Sequence, residues 1–446
     1  MVSKKDIYLL AIALGIGAVF SPSVEGAELK FATFNASLNR NSEGQLVTDL
    51  STPDNVQAQN VAEIIQRVNP DILLINEFDY VADGVAADLF QNNYLSVSQN
   101  GVAPVEYAYK YVAPSNTGVA SGFDLNNDGA VGGPDDALGF GFFPGQYGMV
   151  IYSKYPIVSD RVRTFQSFLW QDMPNALLPD DSTTAAANDW YSAAELDILP
   201  LSSKSHWDVP IEVNGQIIHT LVSHPTPPVF DGAEDRNGKR NHDEIRFWND
   251  YITPKAGDYI YDDGGNFGGL EAEVSFVIMG DQNADPFDGD STDNAINQLL
   301  DNPLVNTSVT PVSAGGVEQA VLDAGTNLSH TGDPAFDTAD FGDAAPNGSG
   351  NLRVDYVLPS TDLEITEAGV FWPQTSDPLY SLVGDSASAP GNGLRTSLAT
   401  TPSSDHSLVW VSVKPVPEPS ANLGIFSIVI MGLLGYVRDR RLQKNK

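Results

Sequence analysis

The chain has 446 residues, 23 of them Lys or Arg and 58 Asp or Glu, for a formal charge of −35, and it has no cysteine. That length allows one large α/β domain or two ordinary ones, and the missing cysteines exclude thiol nucleophiles, thiolate metal sites and disulfides. The acidic field opposes polyanions at long range, yet it leaves room for a phosphate substrate where a metal ion and a few basic residues reverse the sign locally.

Residues 1–26 read as a secretory signal peptide. Lys4 and Lys5 precede an apolar stretch from Ile7 to Phe20, and small residues lead to a cut after Gly26. A membrane anchor is the alternative, for which the run is short. "LKFATFN" then alternates apolar and polar residues and stops at Asn35. Asp54 is placed to cap a helix whose apolar residues Val61, Ile64, Ile65 and Val68 recur at helical spacing, and Asn69-Pro70 ends it. "DILLINE" follows as a buried strand ending at Glu77, which gives a strand–helix–strand order.

"GMVIYSKYPI" is another strand, and "VPIEVNGQIIHTLVSH" is a hairpin turning at Asn214-Gly215, with its second arm ending at His224. "VSFVIMGD" is an apolar run stopped by Gly280, with Asp281 and Asn283 directly after it. "LRVDYVLPS" carries Asp355 within a strand, and "SSDHSLVWVSV" leads from Asp405-His406 into a last strand. The stretches 103–147, 165–205, 253–269 and 314–350 are rich in Gly, Pro, Asn and small residues and read as insertions.

One insertion carries a pattern of its own. "DLNNDGAVGGPD", residues 124–135, fits a twelve-residue calcium loop. Asp124, Asn126 and Asp128 stand at positions 1, 3 and 5, Ala130 offers its carbonyl at 7, and Asp135 closes the loop at 12. The alternation of side-chain oxygens suits a hard cation. The shorter Asp at the last position resembles dockerin-type loops. An acidic turn without an ion is the alternative.

At the C-terminus, residues 415–446 contain a Pro-Glu-Pro triplet, an apolar segment over 423–437 and a basic cluster of Arg438, Arg440 and Arg441. This is a short membrane segment with a positive cytoplasmic stop. The three-part order resembles the PEP-CTERM sorting signal of exported bacterial proteins. That resemblance implies export and sorting machinery as partners at both termini and transient membrane association. The protein would sit at the inner membrane before processing and at the cell surface or outside afterwards.

The polar residues at strand tips, each weak alone, occur in a telling order. "TFN", "PDILLINE", "YGMVIYSKYPI", "LVSHP", "MGDQNADP", "RVDYVLPS" and "SSDHSLV" resemble, in sequence order, the motifs of the endonuclease/exonuclease/phosphatase superfamily, with Asn76 where Gln is commoner. The resemblance covers residues 28–414. It implies an α/β (α+β) fold, a four-layer sandwich of two packed mixed β-sheets flanked by helices, whose rim collects the strand ends.

It also implies roles. Asn35, Glu77 and Asp405 would lie at a divalent metal, Mg²⁺ or Mn²⁺, a hard ion suited to oxygen ligands. Asp281 would orient or deprotonate the attacking water, and Asn283 would hydrogen-bond the transition-state oxygens. His224 and His406 would flank the phosphate, with Asp355 keeping His406 protonated.

A basic cluster of Arg236, Lys239, Arg240 and Arg246 follows His224. It would bind a second phosphate or an acidic headgroup, or else pair internally with neighbouring Asp and Glu. Arg40, near Asn35, is a further candidate for the substrate phosphate. The leading function is an exported, metal-dependent phosphoesterase acting on mono- or diesters of small molecules. A secreted endonuclease or deoxyribonuclease is the alternative, weakened by the lack of a basic or aromatic stripe for a nucleic-acid backbone. A non-catalytic, calcium-stabilised surface binding module is the third reading.

Overall fold

Two strand–helix–strand units, one in each of two sheets, set the architecture of this computed structural model, which describes residues 28–342, 348–383 and 403–415. The first runs from β1 (Leu29–Leu38) through the helix Val56–Val68 to β2 (Ile72–Phe78). β1 and β2 pair in parallel. The helix buries Val61, Ile64 and Ile65 in the apolar cluster shared with the strands, each contributing about 1.5–3 kcal/mol by burial. Its N-cap is Asn55, whose side chain accepts from the Ala58 N–H at 3.0 Å. The expected cap, Asp54, instead accepts from the Thr52 hydroxyl. Asn69 ends the helix in the left-handed region (φ 52°), as Asn-Pro predicts.

β3 (Tyr109–Tyr111), β4 (Met149–Ser153) and β5 (Arg163–Thr164) lead to a hairpin of β6 (His206–Val213) and β7 (Gln216–Ser223). Its turn has positive φ at both Asn214 (53°) and Gly215 (84°), the geometry the Asn-Gly pair selects. The second unit passes from β7 through the helix Arg236–Ile252 to β8 (Phe276–Asp281), again in parallel. The remaining strands are β9 (Ala339–Asp340), β10 (Asn351–Leu352), β11 (Asp355–Pro359), β12 (Leu363–Val370) and β13 (Val409–Pro415).

The sheets are β12-β13-β1-β2-β4-β3 and β11-β8-β7-β6-β5, both mixed, with β9 and β10 forming a separate pair. Side-chain alternation sorts β8 between two cores. Val277 and Met279 join the cluster that also holds β1 and β2, while Phe276 and Ile278 pack with Ile245, Phe247 and Trp248 of the second helix. β8 does not stop at Gly280 but runs through it to Asp281. A glycine is required there because φ is 148° and an added Cβ would lie 2.0 Å from the Ser223 carbonyl oxygen.

The topology gathers the strand tips. Parallel β1 and β2 end at the same rim, and so do parallel β7 and β8. β11 and β13 run antiparallel to β8 and β1, so their N-terminal ends arrive there too. The expected signal peptide, residues 1–26, and the apolar segment 423–437 of the expected sorting tail lie outside the described residues. Among the described residues no helix is long and apolar enough to cross a membrane.

Candidate active site

Asp281 is the last residue of β8 and shares the face of Val277 and Met279, so its carboxylate points at the opposite sheet. There Asn35 meets it. The Asn35 amide donates to Asp281 Oδ2 at 3.0 Å, and His406 Nε2 lies 3.4 Å from the same amide nitrogen. His224 Nε2 and His406 Nε2 stand 3.4 and 3.6 Å from Asp281 Oδ2. Asn76 ties the sheets together beneath this group: its side-chain oxygen accepts from the Asp281 N–H at 3.2 Å and its amide donates to the Ser223 carbonyl at 3.4 Å.

Asp355 opens β11 directly opposite Asp281 in the strand pairing. Two carboxylates placed so would repel. His406 resolves this, with Nδ1 2.8 Å from Asp355 Oδ2 and Nε2 facing Asp281. The Thr338 hydroxyl donates to the same Asp355 oxygen at 2.8 Å. Burial disfavours a charged His406, but Asp355 and Asp281 outweigh it and hold the imidazolium well above the ordinary histidine range. Burial pushes Asp355 up to about 6, with His406 opposing. His224 is driven the other way, well below the ordinary value, first by burial and then by the charges of Lys204 and His406. Two histidines beside one carboxylate are thus poised in opposite protonation states.

Glu77 is re-aimed by its own backbone. A left-handed φ of 55° at the end of β2, opposite an irregularity in the β1 pairing, breaks the strict alternation of the strand. Burial and then Asp405 raise its carboxyl to about 7; Asp281 adds to this, while His406 and the Asn35 amide oppose it. Carboxylates that raise one another in this way form a donor set that a divalent cation would relieve. The Asn35 side-chain oxygen, on the other side of the amide, accepts a 3.3 Å bond from the Ser37 N–H. Asp405 accepts from the Ser37 hydroxyl at 3.1 Å. These oxygens fit a hard cation. Among the described residues, Asp281, Asp355 and His406 also bring their ligand atoms within 4.8 Å of one another. A protonated His406 cannot ligate, so this trio suits a proton relay better than a metal cage.

Asn283 has a left-handed backbone (φ 51°), donates its N–H to Asp281 Oδ1 at 2.9 Å and its side-chain amide to the Pro225 carbonyl at 3.1 Å. Near it lies a cation that no sequence pattern singles out. Lys204, just ahead of β6, is buried, and its ammonium donates to the same Pro225 carbonyl at 3.2 Å. Burial lowers its pKa, while Glu244, Asp281 and Glu77 counter that.

The basic residues proposed for the phosphate are engaged elsewhere. Arg40 is buried against Asp49 at 2.6 Å. Arg236 pairs with Glu234, and Lys239 donates to the Glu234 carbonyl at 2.8 Å. Arg240 is buried and holds the carbonyls of Leu201, Leu138 and Pro200. Arg246 pairs with Asp250 and donates to the Pro174 carbonyl. The cluster lies along the helix Arg236–Ile252, where these acids and loop carbonyls hold it.

In the 124–135 loop the Asp124 carboxylate accepts from the N–H groups of Asp128 and Gly129 at 3.0 and 2.8 Å. Asp128 accepts from the Ala130 N–H at 2.8 Å, and the Asn126 oxygen accepts from the Asp128 N–H at 3.1 Å. The residue turned into the loop at its far end is Asp136, which is buried and accepts from the N–H groups of Leu125 and Gly132, while Asp135 is exposed.

The profile of the Endonuclease/Exonuclease/phosphatase family matches residues 32–406. None of the curated proteins matches the chain. Among solved structures, an endonuclease/exonuclease/phosphatase from Beutenbergia cavernae is similar at 15% identity and a TM-score of 0.45, over 88% of this chain and 73% of that one. Sphingomyelinase C from Streptomyces griseocarneus is similar at 15% identity and 0.43, over 86% and 99%. A beta toxin mutant from Staphylococcus aureus with bound magnesium ions is similar at 15% identity and 0.40, over 87% and 100%.

Proposed function

The chain belongs to the endonuclease/exonuclease/phosphatase family, metal-dependent enzymes that hydrolyse phosphoester bonds, and on that premise we propose that it is an exported phosphoesterase attacking small phosphate mono- or diesters with water in line. The observation that carries this is the convergence of Asn35, His224 and His406 from both sheets on one buried carboxylate, Asp281, with Asp355 behind His406.

Glu77, the side-chain oxygen of Asn35 and Asp405 would hold Mg²⁺ or Mn²⁺. When bound, the ion neutralises phosphate charge and stabilises the leaving oxygen. Asp281 takes the proton of the attacking water, oriented by the Asn35 amide. His406, kept cationic by Asp355, donates from Nε2 to the phosphate oxygens as charge develops. Neutral His224 lines the other side of Asp281 and is free to relay a proton. Asn283 exchanges the Pro225 carbonyl for a transition-state oxygen.

The engaged state of Arg40, Arg236, Lys239, Arg240 and Arg246 favours a small ester over a nucleic-acid backbone, which takes several free cations. Assay of one preparation on p-nitrophenyl phosphate, bis-p-nitrophenyl phosphate and plasmid DNA tests this: turnover of the small esters is expected, and turnover of DNA alone would contradict it. The signal peptide and PEP-CTERM-like tail support export, cell-surface delivery and transient membrane association. Asp124, Asn126, Asp128, the Ala130 carbonyl and the acids at the loop end support calcium binding there. Removing both Asp124 and Asp128 by alanine substitution is expected to abolish any rise in Tm on adding calcium. A parent melting curve indifferent to calcium would remove that part of the proposal.

A further inference from the structure

We infer that Lys204 is a phosphate ligand of this site, binding a non-bridging oxygen of the substrate beside Asn283; this rests on the phosphoesterase reading above. Its side chain is only 7% exposed, and an ammonium carries three N–H donors. One goes to the Pro225 carbonyl. No second hydrogen-bond acceptor and no ion pair meets it among the described residues. Of the acids that act on it electrostatically, Glu244 has both oxygens in use, accepting from the N–H groups of Ser203 and Thr226 at 2.7 and 2.6 Å. A buried cation with unfilled donors is costly unless something else completes it.

Its position says what that is. Pro225 directly follows His224, and its carbonyl is the meeting point of Lys204 and the Asn283 amide. Both donors are therefore within hydrogen-bond reach of one oxygen on the histidine side of Asp281. An anionic oxygen entering there would take N–H groups from each. The site is otherwise acidic, and its Asp281 and Glu77 carboxylates act on Lys204 electrostatically. A fixed positive charge besides the metal and His406, whose Nδ1 is held by Asp355, would favour phosphate entry there. The basic cluster is held elsewhere, with Arg236 and Lys239 on Glu234, Arg240 on backbone carbonyls and Arg246 on Asp250.

The test uses the full chain with Mg²⁺. Titration with inorganic phosphate, followed by calorimetry, is expected to show binding that Lys204→Met weakens about tenfold or more. Lys204→Arg is expected to restore it to within about threefold of the parent. With bis-p-nitrophenyl phosphate, Lys204→Met is expected to lower kcat as well as raise KM, whereas a lysine that merely braces the Pro225 loop would change Tm and leave phosphate affinity alone. Should Lys204→Met fail to fold, Lys204→Gln, which retains a donor to Pro225, is read in its place. Parental phosphate affinity in the folded Met or Gln variant, or no phosphate binding by the parent, would overturn the inference. A parent that binds phosphate through Lys204 but hydrolyses no ester would instead leave the inference standing and remove the phosphoesterase reading.

Discussion

His406 and His224 show how two identical side chains acquire different chemistry. Asp355 sits 2.8 Å from His406 and keeps it cationic, while among the described residues His224 has no carboxylate closer than 3.4 Å and its ring nitrogen Nδ1 has no partner. Because His406 is raised, its charged form persists as pH rises past the ordinary histidine range and is lost only through the higher folded value. Asp355→Asn removes the main carboxylate holding it there. The alkaline limb of the kcat–pH profile should move to lower pH, with a rate loss at pH 8 of roughly 10²-fold or more. An unmoved limb would separate Asp355 from the protonation of His406. Away from the site, Asp337 is buried beside Asp285, Asp288 and Asp333, and burial followed by those neighbours pushes it up to about 9. The folded state then binds a proton that the unfolded chain releases near pH 4, so stability falls with rising pH between those values. Asp337→Asn should therefore raise Tm by about 2–5 °C at pH 8 and change it little at pH 4. An equal effect at both pH values would refute the burial account.

At the scale of elements, the two parallel units explain why tips far apart in sequence share a rim, and Gly280 is where that arrangement is least tolerant. Gly280→Ala places a methyl carbon 2.0 Å from the Ser223 oxygen on a backbone of φ 148°. β7 and β8 would have to separate beneath Asp281, and thermal unfolding should show a loss of roughly 2 kcal/mol or more. A variant as stable as the parent would mean that the close approach of these strands is dispensable. The apolar runs of β2 and β8, the Asn-Gly hairpin and the helix Val56–Val68 were legible in the sequence because each depends on local periodicity or turn chemistry. The order of the tip motifs named the residues that meet. What periodicity did not reveal is set by tertiary contact: the left-handed backbone that re-aims Glu77, the cap at Asn55 one residue past Asp54, and Asp136 rather than Asp135 turned into the acidic loop. Lys204 was hidden within a stretch read as insertion, because a lone lysine before a strand carries no signal until folding brings Pro225 to it.

Over the whole molecule, the charge of −35 bears on which phosphates arrive. Surface charges act over roughly 10 Å at 0.1 M salt and farther at lower salt. A small ester carrying one or two charges feels this field weakly, whereas a DNA duplex opposes it along its length. Raising NaCl from about 20 to about 200 mM should change kcat/KM for bis-p-nitrophenyl phosphate by less than about threefold. If DNA is cut at all, its cleavage should speed up over the same range, opposite in sign to the behaviour of a basic nuclease. DNA cleavage that slows as salt is added would point to a cationic track and to the nuclease alternative. Everything depends on the rim pocket being a place where water is driven onto phosphorus. The most direct measurement is hydrolysis of bis-p-nitrophenyl phosphate by the parent protein and by Asp281→Ala, each with Mg²⁺ or Mn²⁺ and again after chelation, with circular dichroism recorded alongside. The parent should turn over the ester only with the metal, and the variant should keep its spectrum while losing about 10²-fold or more of the rate. A folded Asp281→Ala protein that hydrolyses at the parental rate would contradict the account.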